Sequence, residues 1–99
     1  MKLQMHSIRF NADQKLIDFI QKKADKLDKF FDRIIDGEVF LRLDKDNDME
    51  NKIMEIKLNV PKQQLFAKEK AKSFEEAADQ AVEALRRQIM KHKDKITAF

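Results

Sequence analysis

Three consecutive stretches in the middle of the sequence alternate apolar and polar residues, which is the period of a strand with one buried face. They are EVFLRL at 38–43, KIMEIKLNV at 52–60 and QLFAKEKAK at 64–72. Only short polar connections separate them, so the pattern predicts two consecutive β-hairpins. A chain with this centre must cover the apolar side of one sheet with its remaining segments.

Two segments with helical periodicity flank these strands. NADQ at 11–14 is an N-cap signal, and apolar residues then recur at intervals of three or four, which predicts a helix to about residue 32. DG at 36–37 is expected to form the turn after it. SFEE at 73–76 is a capping box that opens a second helix, which we expect to end near residue 93.

Residues 2–10 predict one more strand at the start of the chain. Their alternation shifts phase at Ser7, which a β-bulge would explain. The predicted order is therefore β-α-β-β-β-α. A right-handed crossover makes the first two strands parallel if they are adjacent. We expect an α+β fold, a four-stranded sheet with both helices packed on one face and the other face open to solvent or to a partner.

The composition indicates one globular domain over residues 1–99, with 42% hydrophobic residues and no cysteine. No apolar run approaches the roughly 20 residues that a membrane helix needs. The N-terminal stretch is short, alternating and polar, unlike a signal peptide. We therefore expect a cytoplasmic protein without a membrane partner.

Residues that could carry catalysis are few. His6 and His92 are the only histidines, Ser7 and Ser73 are the only serines, and there is no glycine-rich phosphate loop. None of them forms a nucleophile–base pair or a metal-ligand spacing. We expect a binding protein with no catalytic residues, no metal, no cofactor and no small-molecule substrate, and with both histidines on the surface.

The segment DKDNDMENKIME imitates a calcium-binding loop. Asp44, Asp46, Asp48 and Glu55 match ligand positions of an EF-hand, but Met49 stands where the loop needs its glycine. The residues that follow alternate as a strand, and no helix flanks either side. We therefore expect a charged hairpin loop without specific calcium binding.

The second helix is polarised along its length, with acids in its first half and bases in its second. Cations suit the negative end of the helix dipole, which explains the sign of the charges but not their number. Within 85–95 only Asp94 opposes the bases, so a polyanionic partner would relieve their repulsion. The candidate RNA-binding residues here are Arg86, Arg87, Lys91, His92, Lys93 and Lys95.

The first helix carries a basic stripe beside an acidic one. The bases are Lys15, Lys22, Lys26, Lys29 and Arg33, and the acids are Asp18, Asp25, Asp28 and Asp32. Taken alone, this pattern favours a solvated face held by pairs such as Asp18–Lys22 and Asp25–Lys29 over a basic ridge aimed at phosphates. Since paired lysines must give up a partner to bind phosphate, we expect the second helix to contribute more binding energy.

The open sheet face should mix aromatic and basic residues. Such a face can stack unpaired bases, but Phe40 and Phe66 could equally pair with each other across strands. Without tyrosine, tryptophan or an RNP motif, the sequence favours the cross-strand pair. The residues expected on this face are Lys2, Gln4, His6, Phe40, Arg42, Lys57, Phe66, Lys68 and Lys70.

The element order and two segments resemble the ribosome hibernation-promoting factors, also called ribosome-associated inhibitor A or sigma-54 modulation proteins. The segments are KADKLDKFFDRI at 23–34 and SFEEAADQAVEALRRQIMKHKDK at 73–95, and LRRQIMKHKDK is the most specific part. The resemblance covers essentially the whole chain. One departure is Glu69, which has the inward phase of its strand where a small apolar residue would fit the family.

The resemblance implies a function in translation. Members bind 16S rRNA in the mRNA and tRNA channel of the 30S subunit and of the 70S ribosome, and they stop translation in stationary phase or stress. Matching positions imply RNA contacts by Lys23, Lys26, Arg87, Lys91, His92, Lys93 and Lys95, with Arg33 beside the matching Asp32. Lys22, Lys29 and Arg86 rest on the charge pattern alone.

The resemblance also implies an assembly state. The chain ends at Phe99 without the dimer-forming domain of long members or the extended tail of the inhibitor A type, which implies the short form. In some bacteria this form acts with a separate ribosome modulation factor to pair 70S ribosomes, and we expect a monomer away from the ribosome.

Two functions outside the family remain open. The first is a general module for double-stranded or structured RNA, although such domains typically lack the first strand. The second is a protein-interaction domain that acts on transcription.

Overall fold

The structure is a computed structural model that describes residues 1–46 and 49–97, and its side chains as far as Lys95. The predicted order β-α-β-β-β-α is confirmed, with a short 3₁₀ helix added after the first α-helix. The elements are β1 (Lys2–Ser7), α1 (Gln14–Asp25), the 3₁₀ helix (Lys26–Lys29), β2 (Asp36–Leu43), β3 (Lys52–Val60), β4 (Gln63–Ala71) and α2 (Phe74–Thr97).

The four strands form one mixed sheet in the order β1-β2-β3-β4. β1 pairs with β2 in parallel, whereas β2–β3 and β3–β4 are antiparallel, as predicted. One face of the sheet is buried beneath both helices. Its core includes Leu41 and Ile56 from the sheet and Ile20, Leu85 and Ile89 from the helices, all with 0% of their surface exposed. Burying one such side chain contributes about 1.5–3 kcal/mol.

The first helix differs from its prediction at both ends. Asn11 is not its cap, because Asp13 Oδ1 accepts the hydrogen bond from the backbone N–H of Leu16 at 2.8 Å. The α-helix ends at Asp25 rather than near residue 32. It tightens into the 3₁₀ helix, and the Leu27 carbonyl closes this end by accepting from the backbone N–H groups of Phe30 and Phe31.

The predicted bulge at Ser7 is wrong. β1 pairs with β2 without interruption from Lys2 to Ser7, and the phase shift marks the end of the strand. Arg9 then adopts a left-handed φ of 65°, which turns the chain towards α1. Ile8 is left 42% exposed at this corner.

The predicted turn at Asp36 and Gly37 is also wrong, because both residues begin β2. Gly37 is buried where the sheet packs most closely. A Cβ atom there would lie 2.6 Å from the Lys57 carbonyl oxygen and 2.8 Å from Leu3 Cδ2. The glycine is therefore required by close packing between strands, not by a turn conformation.

The second helix begins as predicted and extends further. Ser73 Oγ accepts a hydrogen bond from the backbone N–H of Glu76 at 3.0 Å, which caps the helix. The helix continues to Thr97, beyond the predicted end near residue 93.

Replacement of the one glycine tests the packing argument. Gly37→Ala should destabilise the protein by about 2–3 kcal/mol, because the added methyl group meets backbone and apolar side chains that have no room to move. Urea denaturation followed by circular dichroism measures the loss. The matched control is Asp36→Ala, at the exposed start of the same strand, which should stay within about 0.5 kcal/mol of the wild type. Equal losses in both variants would contradict the argument.

Candidate RNA-binding site

The two α-helices lie side by side and run in the same direction. Contacts between them advance together along both chains: Lys23 Nζ lies 2.8 Å from Asp79 Oδ1, and further on the Arg86 guanidinium lies 6.0 Å from the centre of the Phe30 ring. The C-terminal ends of both helices therefore point towards the same end of the molecule, and α2 extends beyond α1. Since each helix end is the negative pole of its dipole, both favour cations there.

The predicted basic residues lie on α1, on the 3₁₀ helix and the segment after it, and on the second half of α2. We call this group the basic helix end. The members are Lys22, Lys23, Lys26, Lys29, Arg33, Arg86, Arg87, Lys91, Lys93 and Lys95. All are exposed except three, which are half-buried: Lys23, Arg86 and Lys93. Such a concentration of accessible cations can contact several phosphates at once.

Lys23 and Arg86 of the basic helix end are held by acids. Lys23 pairs with Asp79 across the helices. Arg86 donates two hydrogen bonds to Glu83, from Nη2 at 2.6 Å and from Nε at 3.1 Å. These bonds hold the pKa of the Glu83 carboxyl below its usual range. The expectation that the bases from 86 onward have almost no acidic neighbour is therefore wrong for Arg86, whose partner lies one turn earlier.

The lysines of the first helix are less paired than the sequence predicts. Asp25 and Asp28 bind the amino group of Met1, at 3.2 Å and 2.7 Å, rather than neighbouring lysines. The hydrogen bond that this amine donates to Asp28 is the main cause that raises its pKa. Asp18 accepts from Gln14 instead of Lys22. The predicted pairs Asp18–Lys22 and Asp25–Lys29 are thus wrong.

The consequence is that helix one presents accessible charge. Within residues 1–46 and 49–97, no carboxylate forms an ion pair with Lys22, Lys26 or Lys29. These lysines are free to exchange bound counterions for phosphate without losing a protein partner. The reason for expecting a weaker contribution from the first helix is therefore removed.

His92 is buried rather than exposed, with 5% of its surface accessible. Its Nδ1 lies 3.1 Å from Gln63 Oε1, and its ring meets Phe31 edge to face at 5.4 Å between centres. The Nε2 atom is buried and has no hydrogen-bond partner within the described part of the chain. The expected surface position is therefore wrong, and the burial leaves the His92 ring little surface for an RNA contact. Ile89 lies one turn earlier on the same buried stripe, and this spacing could have revealed it.

Gln88 is a residue of this region that sequence reasoning missed. Its side-chain amide donates to the Phe66 carbonyl oxygen at 2.7 Å and accepts from the Phe66 N–H at 3.2 Å. Both backbone groups lie on the free edge of β4, so the amide replaces a neighbouring strand there. This contact fixes the basic half of α2 against the sheet.

Glu69, which departs from the family pattern, reaches the protein surface. It is half-buried and lines a shallow cleft together with Asp79, Glu83 and Arg87. The side of β4 that faces the helices is therefore accessible to solvent at Glu69, as expected for a charged residue on a mostly buried face.

In the segment that resembles an EF-hand loop, two of the candidate calcium ligands form ion pairs with basic side chains. Asp44 accepts from Lys70 Nζ at 2.6 Å, which is the main cause that lowers the pKa of Asp44. Glu55 pairs with Arg42 at 2.7 Å. Asp48 lies outside the described residues. In residues 1–46 and 49–97, no group of three or more His, Cys, Asp or Glu side chains could hold a metal ion. No helix in these ranges is long and apolar enough to cross a membrane.

Comparison with known proteins gives the same assignment over nearly the whole chain. The sequence profile of the family described as sigma 54 modulation protein / S30EA ribosomal protein matches residues 3–97. A ribosome hibernation promoting factor of Klebsiella oxytoca is 33% identical over 96 residues, which cover 97% of each chain. A ribosome hibernation promotion factor of Bacillus subtilis is 33% identical over 81 residues, and the match spans 82% of this chain but 42% of that protein.

Solved structures share the fold. A ribosomal subunit interface protein from Coxiella burnetii superposes with a TM-score of 0.83 at 19% identity, over 94% of this chain and 98% of that one. The N-terminal domain of Thermus thermophilus Protein Y gives a TM-score of 0.82 at 22% identity, over 93% and 99% of the two chains. At these identities the likeness concerns the fold alone. With the profile match and the Klebsiella relative, the chain belongs to the sigma 54 modulation protein / S30EA ribosomal protein family.

Proposed function

We propose that this protein binds the small ribosomal subunit and idles the ribosome, with 16S rRNA of the mRNA and tRNA channel as its partner. The observation that carries the proposal is the basic helix end, where two parallel helices present their cations together. The names of the two sequence relatives, both ribosome hibernation factors, support the ribosome as the source of the RNA.

The chemistry of the basic helix end suits phosphates rather than base edges. Lysine side chains dominate it, and they contact phosphate as point charges without reading sequence. The cations are distributed over two helices and the segment that follows the 3₁₀ helix, so they can contact phosphates from more than one RNA segment. Folded rRNA offers such neighbouring phosphates at fixed positions, whereas an isolated duplex offers only its own backbone.

The shape of the protein suits obstruction. The molecule measures 48 × 23 × 18 Å along its principal axes, so it is an elongated body with a narrow cross-section. A rigid body held in the channel by its charged end would exclude mRNA and tRNA sterically. Inhibition would then need no chemical step and no cofactor, and a separate modulation factor would be needed only to join ribosomes in pairs.

Sedimentation tests the choice of partner. The purified protein should co-sediment with 30S and 70S particles through a sucrose gradient and should lower protein synthesis in a reconstituted translation reaction. The matched comparison is an equal mass of total tRNA and of duplex RNA. Equal affinity for these RNAs and for ribosomes would favour the general RNA-binding module. Failure to co-sediment at moderate salt would contradict the proposal.

The ion pairs predict which cations matter most. Lys26→Ala/Lys91→Ala should weaken ribosome binding more than Lys23→Ala/Arg86→Ala, because the first pair is exposed and the second is already bound to carboxylates. Each lost phosphate contact should flatten the log–log salt dependence by about 0.7–0.9. Binding measured at several salt concentrations separates the two double variants. A larger loss from the paired residues would contradict this ranking.

His92 should matter for packing and not for RNA contact. His92→Phe should keep ribosome affinity within about twofold, since the side chain is buried and Phe keeps the aromatic contact with Phe31. Lys91 is the preceding residue and is exposed, so Lys91→Ala should reduce ribosome affinity. Thermal melting of both variants monitors the fold. If His92→Phe abolished binding without lowering the melting temperature, the imidazole would contact RNA after all.

A further inference from the structure

The sheet face opposite the helices carries an arrangement that the basic helix end does not use. We call it the open face. It includes the side chains of Lys2, Gln4, His6, Asp36, Glu38, Phe40, Arg42, Glu55, Lys57, Phe66, Lys68 and Lys70. We propose that the open face binds single-stranded RNA, with the rings of His6 and Phe66 stacking on bases and lysines contacting the phosphates. This inference does not depend on ribosome binding.

The structure removes the simpler explanation of the aromatic residues. Phe40 lies on β2 and Phe66 on β4, and β3 separates these strands throughout the sheet. The predicted cross-strand pair of the two rings is therefore wrong. Phe66 instead faces Lys57 in the register, and its surface is 43% exposed. Within residues 1–46 and 49–97 it stacks on no other aromatic ring, and an aromatic ring that is this exposed can accept a base on its face.

The second aromatic position is already organised. The rings of His6 and Phe40 stack across β1 and β2 with centres 4.8 Å apart and planes at 16°. His6 Nε2 lies 3.0 Å from Glu38 Oε2, which fixes the orientation of the imidazole. The His6 side chain is 41% exposed on an edge strand, so an unpaired base can extend this stack outward. Because the rings are held in advance, binding orders few additional side chains.

Cations lie between and beside the two aromatic positions. Lys57 Nζ lies 5.4 Å from the centre of the Phe40 ring and makes no ion pair with any described residue. Lys68 is 53% exposed and lies 4.0 Å from Glu55, a carboxylate that Arg42 already holds at 2.7 Å. Lysines and arginine outnumber carboxylates on this face, so its charge complements a polyanion.

A single strand fits this pattern better than a duplex. The two edge strands that carry His6 and Phe66 are three strand spacings apart, about 14 Å. Only unpaired bases can turn towards rings on a flat sheet, because duplex bases are already stacked and paired. No base-edge pocket is needed, so binding should tolerate different sequences. The amide of Gln88 holds the backbone of Phe66 in place, which keeps the position of the Phe66 ring fixed.

Fluorescence anisotropy with a labelled oligouridylate of about 12 nucleotides tests the proposal directly. Wild-type protein should bind this strand more tightly than a duplex of equal length. Phe66→Leu and His6→Leu should each weaken binding by roughly tenfold, as expected for the loss of one stacked base. The matched control is Met90→Ala, which removes an apolar side chain on α2 that is 41% exposed, and it should bind like the wild type.

A second readout separates stacking from general attraction. An oligonucleotide that contains 2-aminopurine should lose fluorescence on binding, because its base stacks on a ring, and Phe66→Leu should restore part of the signal. Circular dichroism confirms that each variant is folded, and amide shifts of the wild type on β1 and β4 locate the strand without any substitution. Absence of binding, preference for the duplex, or shifts confined to the helices would each overturn the proposal.

Discussion

The parallel pairing of β1 with β2 determines the direction of every later element. Because α1 connects two strands that point the same way, it must run back against them. Two hairpins then return the chain so that β4 is parallel to β1, and α2 must run back as well. The two helices are therefore parallel by topology. Their C-terminal ends point the same way, and the sequence places cations towards both ends. Gly37 allows the close contact between β1, β2 and β3 on which this arrangement depends.

The sequence predicted the elements well where the pattern was local and repeated. β3 has its predicted bounds, Lys52–Val60, because nine alternating residues leave one consistent phase. The cap at Ser73 was also predicted, since its partner is three residues away. The turn predicted at residues 36–37 was wrong because glycine occurs for two reasons, in turns and where two backbones pack closely. Only the neighbouring strand, brought in by the fold, decides between them.

The sequence did not predict the ion pairs of the candidate site. The partner of Asp25 and Asp28 is the amine of Met1, which is 24 and 27 residues away in the chain, so reasoning from spacing within a helix could not find it. The pairing of Arg86 with Glu83 was within reach, because residues three apart are neighbours on a helix. His92 shows a different error, since a position shared with a family can be shared for packing rather than for binding.

The helices divide the surface into two regions of different chemistry. The basic helix end, which we propose to contact phosphates, carries exposed cations on α1, the 3₁₀ helix and α2. The open face has weaker net charge but fixed rings, so its attraction depends on bases that are not paired. Gln88 connects the two regions, because it lies beside Arg87 on α2 and holds the backbone that carries Phe66. If a bound polyanion displaced α2, the Gln88 amide would transmit that movement to the backbone of Phe66 on the open face.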